Sequence, residues 1–124
     1  MLYSILCYDC ESEVFGMTEE EDGDLMTRLS AVTAKQEAAG KLGPRLRLMA
    51  TTAAATVRSS GEVIDGPFAE TKEQLLGFYI VDCESQEEAV ETARLLAREK
   101  PKGTLEVRPV LWFDPGTSPQ NGIK

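Results

Sequence analysis

The sequence predicts a two-layer α+β sandwich, an antiparallel sheet with two helices on one face. Three observations carry that prediction. Leu2–Tyr8 and Leu75–Cys83 are nearly continuous apolar, β-favouring runs. Thr18 with Glu21, and Ser85 with Glu88, each have the spacing of a capping box at a helix start. The elements follow in the order strand, helix, strand hairpin, strand, helix, strand. At 124 residues the chain has the length of one domain, placed at 1–113, with a flexible tail at 114–124.

Leu2–Tyr8 has the composition of a central strand with both faces dry. Asp9–Gly16 is a polar connection, and the acids from Asp9 to Asp24 complement the dipole of the helix that follows. That helix is expected from Thr18 to about Ala39. Leu25, Leu29 and Val32 form its buried stripe, with Ala31, Ala34 and Ala38 beside it. Gly40 closes it, and Gly43-Pro44 prevents it from resuming. Arg45-Leu46-Arg47-Leu48-Met49 alternates charge with hydrophobe, as an edge strand or an extended arm with one wet face does, and its arginines could grip an anionic ligand or discourage strand addition. Ala53–Arg58 and Glu62–Asp65 pair as a hairpin around Ser60-Gly61. In the next strand Gly77 marks the close approach of another backbone or of a ligand. The second helix covers about Gln86–Arg98 and buries Ala89, Val90, Ala93, Leu96 and Ala97. Thr104–Phe113 is the last strand, which Pro109 marks as an edge or a bulge.

With 13 Lys and Arg against 21 Asp and Glu, the chain carries a formal charge of −8. That balance argues against direct nucleic-acid binding and leaves contact with a basic protein open. No apolar run has the length of a membrane span, and no basic region precedes the first apolar run, so a cytoplasmic protein is expected. Three cysteines argue against a disulfide framework. Cys7 and Cys10 have the C-x-x-C spacing, but Cys7 lies within a strand among acids, so a buried structural thiol is expected. With no histidine, no zinc set is expected, and the acidic run lacks EF-hand spacing; neither metal nor cofactor is predicted.

The candidate site is the stretch after the hairpin. In Asp65-Gly66-Pro67-Phe68 the backbone donor that Asp65 would ordinarily find two residues on is missing, because Pro67 has no N–H. The carboxylate therefore needs the Phe68 N–H or a group from elsewhere in the fold. Glu70 and Lys72 follow at strand spacing, on one side of an extended chain. A structural reading stands beside the functional one: a stiff corner between strands, Phe68 as a core anchor and the charges as a solvated face.

Asp65-Gly66-Pro67-Phe68-Ala69-Glu70-Thr71-Lys72-Glu73, followed by Gly77-Phe78-Tyr79, resembles the signature of the DGPF branch of the YCII-related family. The likeness runs from Leu2–Tyr8 to Glu106–Val110. It implies a ferredoxin-like sandwich of the dimeric α+β barrel type, here with an extra β-hairpin. It also implies a cleft between sheets and loops, and, from fusions in relatives, a link to transcription. The histidine–aspartate mechanism suggested in the wider family has no counterpart in a chain without histidine. Leu75-Leu76-Gly77 also departs from the Leu-Gly-Gly frequent in relatives.

Two functions follow as expectations. In the first, a small-molecule cleft lies near Asp65, which acts as base or acceptor, with Glu70, Lys72, Tyr3 and Tyr79 binding the ligand. In the second, the chain is a non-catalytic dimeric module that meets a protein partner in transcription. Both include a homodimer. The dry strands need cover on both faces, and no element is left to cover the second one.

Overall fold

The computed structural model describes residues 1–117. Four strands form one antiparallel sheet: β1 (Leu2–Asp9), β2 (Leu42–Arg47), β5 (Gln74–Asp82) and β6 (Thr104–Pro109). Their spatial order is β2-β5-β1-β6. The two long apolar runs are thus the central strands, and the shorter, more polar ones are edges. β3 (Ala55–Val57) and β4 (Val63–Asp65) pair only with each other, as a separate hairpin. The helices are α1 (Glu11–Val14), α2 (Glu19–Ala38) and α3 (Gln86–Arg98). The mixed architecture is the predicted α+β sandwich. The short α1 falls within Asp9–Gly16, where only a polar connection was expected.

The capping box predicted at α2 forms in full, and the one predicted at α3 forms in half. Thr18 Oγ1 accepts from the Glu21 N–H at 3.1 Å, and the Thr18 N–H donates to Glu21 Oε1 at 2.9 Å. At α3, Ser85 Oγ accepts from the Glu88 N–H, but Glu88 returns its bond to the Glu84 N–H, one residue before the cap. Gly40 ends α2 with φ 71°, the left-handed cap.

Cross-strand register sorts the side chains. Ile5 faces Tyr79 and Val107, and Cys7 faces Gly77 and Leu105. These odd-numbered positions lie under the helices, and Tyr3, Ile5 and Val81 join Leu25, Leu29, Ala89, Ala93 and Leu96 in the core. The buried faces of the helices differ in detail from the predicted stripes. Thr33 and Thr92 are buried, whereas Ala31, Ala34, Ala38 and Ala97 are exposed. Small apolar residues lie outside the stripe because the buried face follows the helical repeat. The two threonines fit inside because their hydroxyls find bonds: Thr33 to the Ser30 carbonyl, Thr92 to the Glu88 carbonyl and to Gln36 Nε2.

β2 begins earlier than predicted, at Leu42, and includes Pro44. Its register shifts between Leu42 and Arg45, so the proline falls in an edge-strand irregularity, where a missing donor costs little. A Cβ at Gly77 would collide with the Leu46 carbonyl, so the close approach that this glycine signals is that of the β2 backbone. β6 ends at Pro109, short of Phe113, and Leu111 and Trp112 are exposed beyond it. Residues 118–124 of the expected tail lie outside the described residues.

Candidate functional site

The sheet and α2 do not close fully on each other. Between them lies a cavity of about 260 Å³. Leu25, Met26 and Leu29 line it from the helix, and Leu76, Leu96 and Leu105 extend the apolar wall. Its polar groups are Cys7, Asp9, Arg45, Arg47, Tyr79 and Lys100. Strand alternation places most of them there. Cys7 and Asp9 continue the inward parity of Tyr3 and Ile5, and Tyr79 shares its face with Arg45, its cross-strand partner on β2.

Asp9 is 6% exposed and ends β1. Its Oδ1 accepts from the Cys10 N–H at 2.8 Å, and its Oδ2 lies 3.3 Å from Lys100 Nζ. Gly103 leaves room for it: φ there is 107°, and a Cβ would press on both Asp9 Oδ2 and the Tyr8 carbonyl. Lys100 follows α3, so the pair links the end of the central strand to the loop before β6.

The remaining polar lining is shaped by burial and charge. Burial pushes the Cys7 thiol above its ordinary pKa, Lys100 partly opposes this, and Asp9 adds to it. At neutral pH the thiol is protonated, which suits a structural side chain better than a nucleophile. The C-x-x-C spacing forms no disulfide, since Cys7, Cys10 and Cys83 are all free. Burial likewise raises Tyr79, Cys7 adds to the rise, and Arg45 and Arg47 pull against it. The phenol keeps its proton and is available as a donor. Arg47 donates to both oxygens of Asp22 on α2, at 2.9 and 3.1 Å, and these bonds hold Asp22 below the ordinary carboxylate range.

Of the residues singled out from sequence, Tyr79 lines the cavity, and so do Arg45 and Arg47. Tyr3 is 6% exposed and packed in the core cluster, away from the lining. Asp65, Glu70 and Lys72 are exposed, lie outside the lining and form no ion pair among the described residues. The reason is topological. Asp65 ends β4, and that hairpin does not join the main sheet. Two bonds to Gly66, and not the Asp65 carboxylate, hold the corner. The Gly66 N–H donates to the Ala54 carbonyl at 2.7 Å, and Thr56 Oγ1 donates to the Gly66 carbonyl at 2.8 Å. Phe68 is no core anchor, being 79% exposed.

Sequence reasoning passed over Asp9 and Lys100. The signal for Asp9 was its parity with Tyr3 and Ile5 at the end of a dry strand. Lys100 carried no such signal, since only the packing of the α3–β6 loop brings it to Asp9. The signature reaches the site through Gly77, Phe78 and Tyr79, which line the cavity, and Gln74, between its two parts, ties β5 to α1. Gln74 Oε1 accepts from the Glu11 N–H at 3.1 Å, and Glu11 in turn accepts from the Thr51 N–H and hydroxyl. Among the described residues, no helix is long and apolar enough to cross a membrane.

An uncharacterized protein of Rhizobium meliloti (strain 1021) is 55% identical over 123 residues, covering 96% of this chain and 99% of that protein. The family model described as the YCII-related domain matches residues 1–114, from the first strand through the last and past it. Both matches take in the cavity as well as the signature segment, and the chain belongs to the YCII-related family.

Proposed function

We propose that this protein binds a small, largely apolar molecule in the cavity beneath α2. One observation carries the reading: apolar walls enclose about 260 Å³ beside a buried Asp9–Lys100 pair and the protonated phenol of Tyr79. Apolar concavities with a few convergent polar groups are the usual form of a small-molecule site. Tyr79 donates to the polar end of the ligand, and the Asp9–Lys100 pair adds a polar patch to an otherwise apolar wall. The run Asp65–Glu73 supports placement in the DGPF branch of the family. Three free thiols, two of them at C-x-x-C spacing, support a reducing, cytoplasmic setting.

Ser30 lines the mouth of the cavity and is exposed, so Ser30→Trp fills the opening without touching the core. Small molecules that raise the Tm of the wild type, in a screen of apolar fragments, are expected to lose that effect in Ser30→Trp. Amide shift changes that map to the β3–β4 hairpin, and survive Ser30→Trp, would place binding elsewhere and refute the cavity.

A second reading rests on a different observation. Val57, Val63 and Phe68 expose apolar surface on and beside the hairpin, and Leu46 and Leu48 do so at the β2 edge. These patches support a homodimer, with the Asp65 corner as part of the contact and Glu70 and Lys72 flanking it. The same surface suits the protein-interaction module implied by the family's fusions.

A further inference from the structure

Three cations line a cavity that holds one carboxylate, within a chain whose net charge is −8. Two of those cations are already engaged. Lys100 lies against Asp9, and Arg47 is held by both oxygens of Asp22. Arg45 is different. Its nearest carboxylate is Glu37, at 3.8 Å, beyond hydrogen-bond distance, and its guanidinium makes no hydrogen bond among the described residues. Five N–H donors therefore stand at the rim of an apolar cavity with a loose counter-ion on one side. Directly across the strand pair is Tyr79, a protonated phenol that likewise makes no hydrogen bond among the described residues.

We infer that the ligand is a small monocarboxylate with an apolar body, and that Arg45 and Tyr79 bind its carboxylate. This rests on the cavity reading above and adds the charge class of the occupant. A planar guanidinium offers parallel N–H donors to a carboxylate, and a phenol hydroxyl adds a third donor. The apolar wall from Leu25 to Leu105 takes the body of the molecule. Glu37 is the competitor that the carboxylate displaces. A single uncommitted guanidinium suits one negative charge, whereas a phosphate dianion would leave charge uncompensated in an apolar space.

The test compares phenylacetate with phenylacetamide, a neutral molecule of the same shape, on the full chain by amide shift titration. Phenylacetate is expected to bind roughly tenfold more tightly, with shifts centred on Arg45 and Tyr79. Arg45→Gln, checked for an unchanged Tm, is expected to bring the two probes to parity. Equal binding of both probes to the wild type would overturn the charge class and leave the cavity reading standing. So would a preference that survives Arg45→Gln. Inorganic phosphate competing as well as phenylacetate would also overturn it, since a bare anion would then suffice. Failure of both probes to perturb the cavity would overturn the proposal together with the reading on which it rests.

Discussion

The Asp9–Lys100 ion pair is expected to be costly to break while adding little net stability. Their side chains are 9% and 14% exposed, so neither charge is solvated in the usual way. Coulomb attraction offsets desolvation only while both partners are present. Lys100→Met leaves Asp9 as a lone buried charge and is expected to cost about 3–5 kcal/mol in urea unfolding. Asp9→Asn combined with Lys100→Met should recover most of that loss, because both charges are then gone. A cost below about 1 kcal/mol for Lys100→Met would mean that the pair behaves as a solvated surface bridge. Asp65 presents the opposite case. The missing donor at Pro67 was legible in sequence, but the carboxylate faces water, and the Ala54 carbonyl and the Thr56 hydroxyl hold the corner at Gly66.

The edge strand β2 is the element on which the site depends. It is bound to β5 by backbone pairing, and two ion pairs join it to α2: Arg47 with Asp22, and more loosely Arg45 with Glu37. The Asp22 pair gives stability a pH dependence of definite sign. Arg47 lowers the folded-state pKa of Asp22 below its ordinary 3.8. Glu11, bound by Thr51, is also lowered from its ordinary 4.5. Groups of this kind contribute fully above their unfolded pKa values, and the contribution is lost as pH falls through the lower folded values. The Tm is therefore expected to be flat from neutral pH down to about 5 on this account, and to fall below that. Asp22→Asn should lower the Tm at neutral pH and make the acid fall shallower. An acid limb as steep in Asp22→Asn as in the wild type would show that Asp22 is not paired in solution. The edge position of β2 was legible from its alternating charges, and the caps of α2 and α3 from residue spacing alone. The salt bridges were not legible, because Arg47 and Asp22 lie 25 residues apart and only the packing of helix on sheet joins them.

At the scale of the whole molecule, the helix-free side of the sheet sets the strongest expectation. Leu46 stands opposite Phe78 there, and it is exposed, as is Leu48 beyond the end of β2. Light scattering at micromolar concentration is expected to return the mass of two chains. Leu46→Glu, at the exposed β2 edge, should return the mass of one with little change in circular dichroism. A wild-type mass of one chain would refute the homodimer. A dimer that survives both Leu46→Glu and Phe68→Ser would move its interface elsewhere on the molecule.

The sequence by itself determined the elements that depend on neighbours in the chain. Capping hydroxyls, helix-ending glycines and the parity of apolar residues act within a few positions, and they specified two helices, four sheet strands and a hairpin. It also specified the glycine of β5, since a missing side chain marks a close approach whatever the partner. Only the tertiary structure decided where the cavity lies and which charges meet in it. Strand order put β1 and β5 at the centre and left β2 at the edge with its arginines under α2. The hairpin that carries Asp65 paired with itself and stayed outside the main sheet. Such outcomes depend on contacts between residues distant in the chain, where an attraction or a steric fit exists only after the layers have packed.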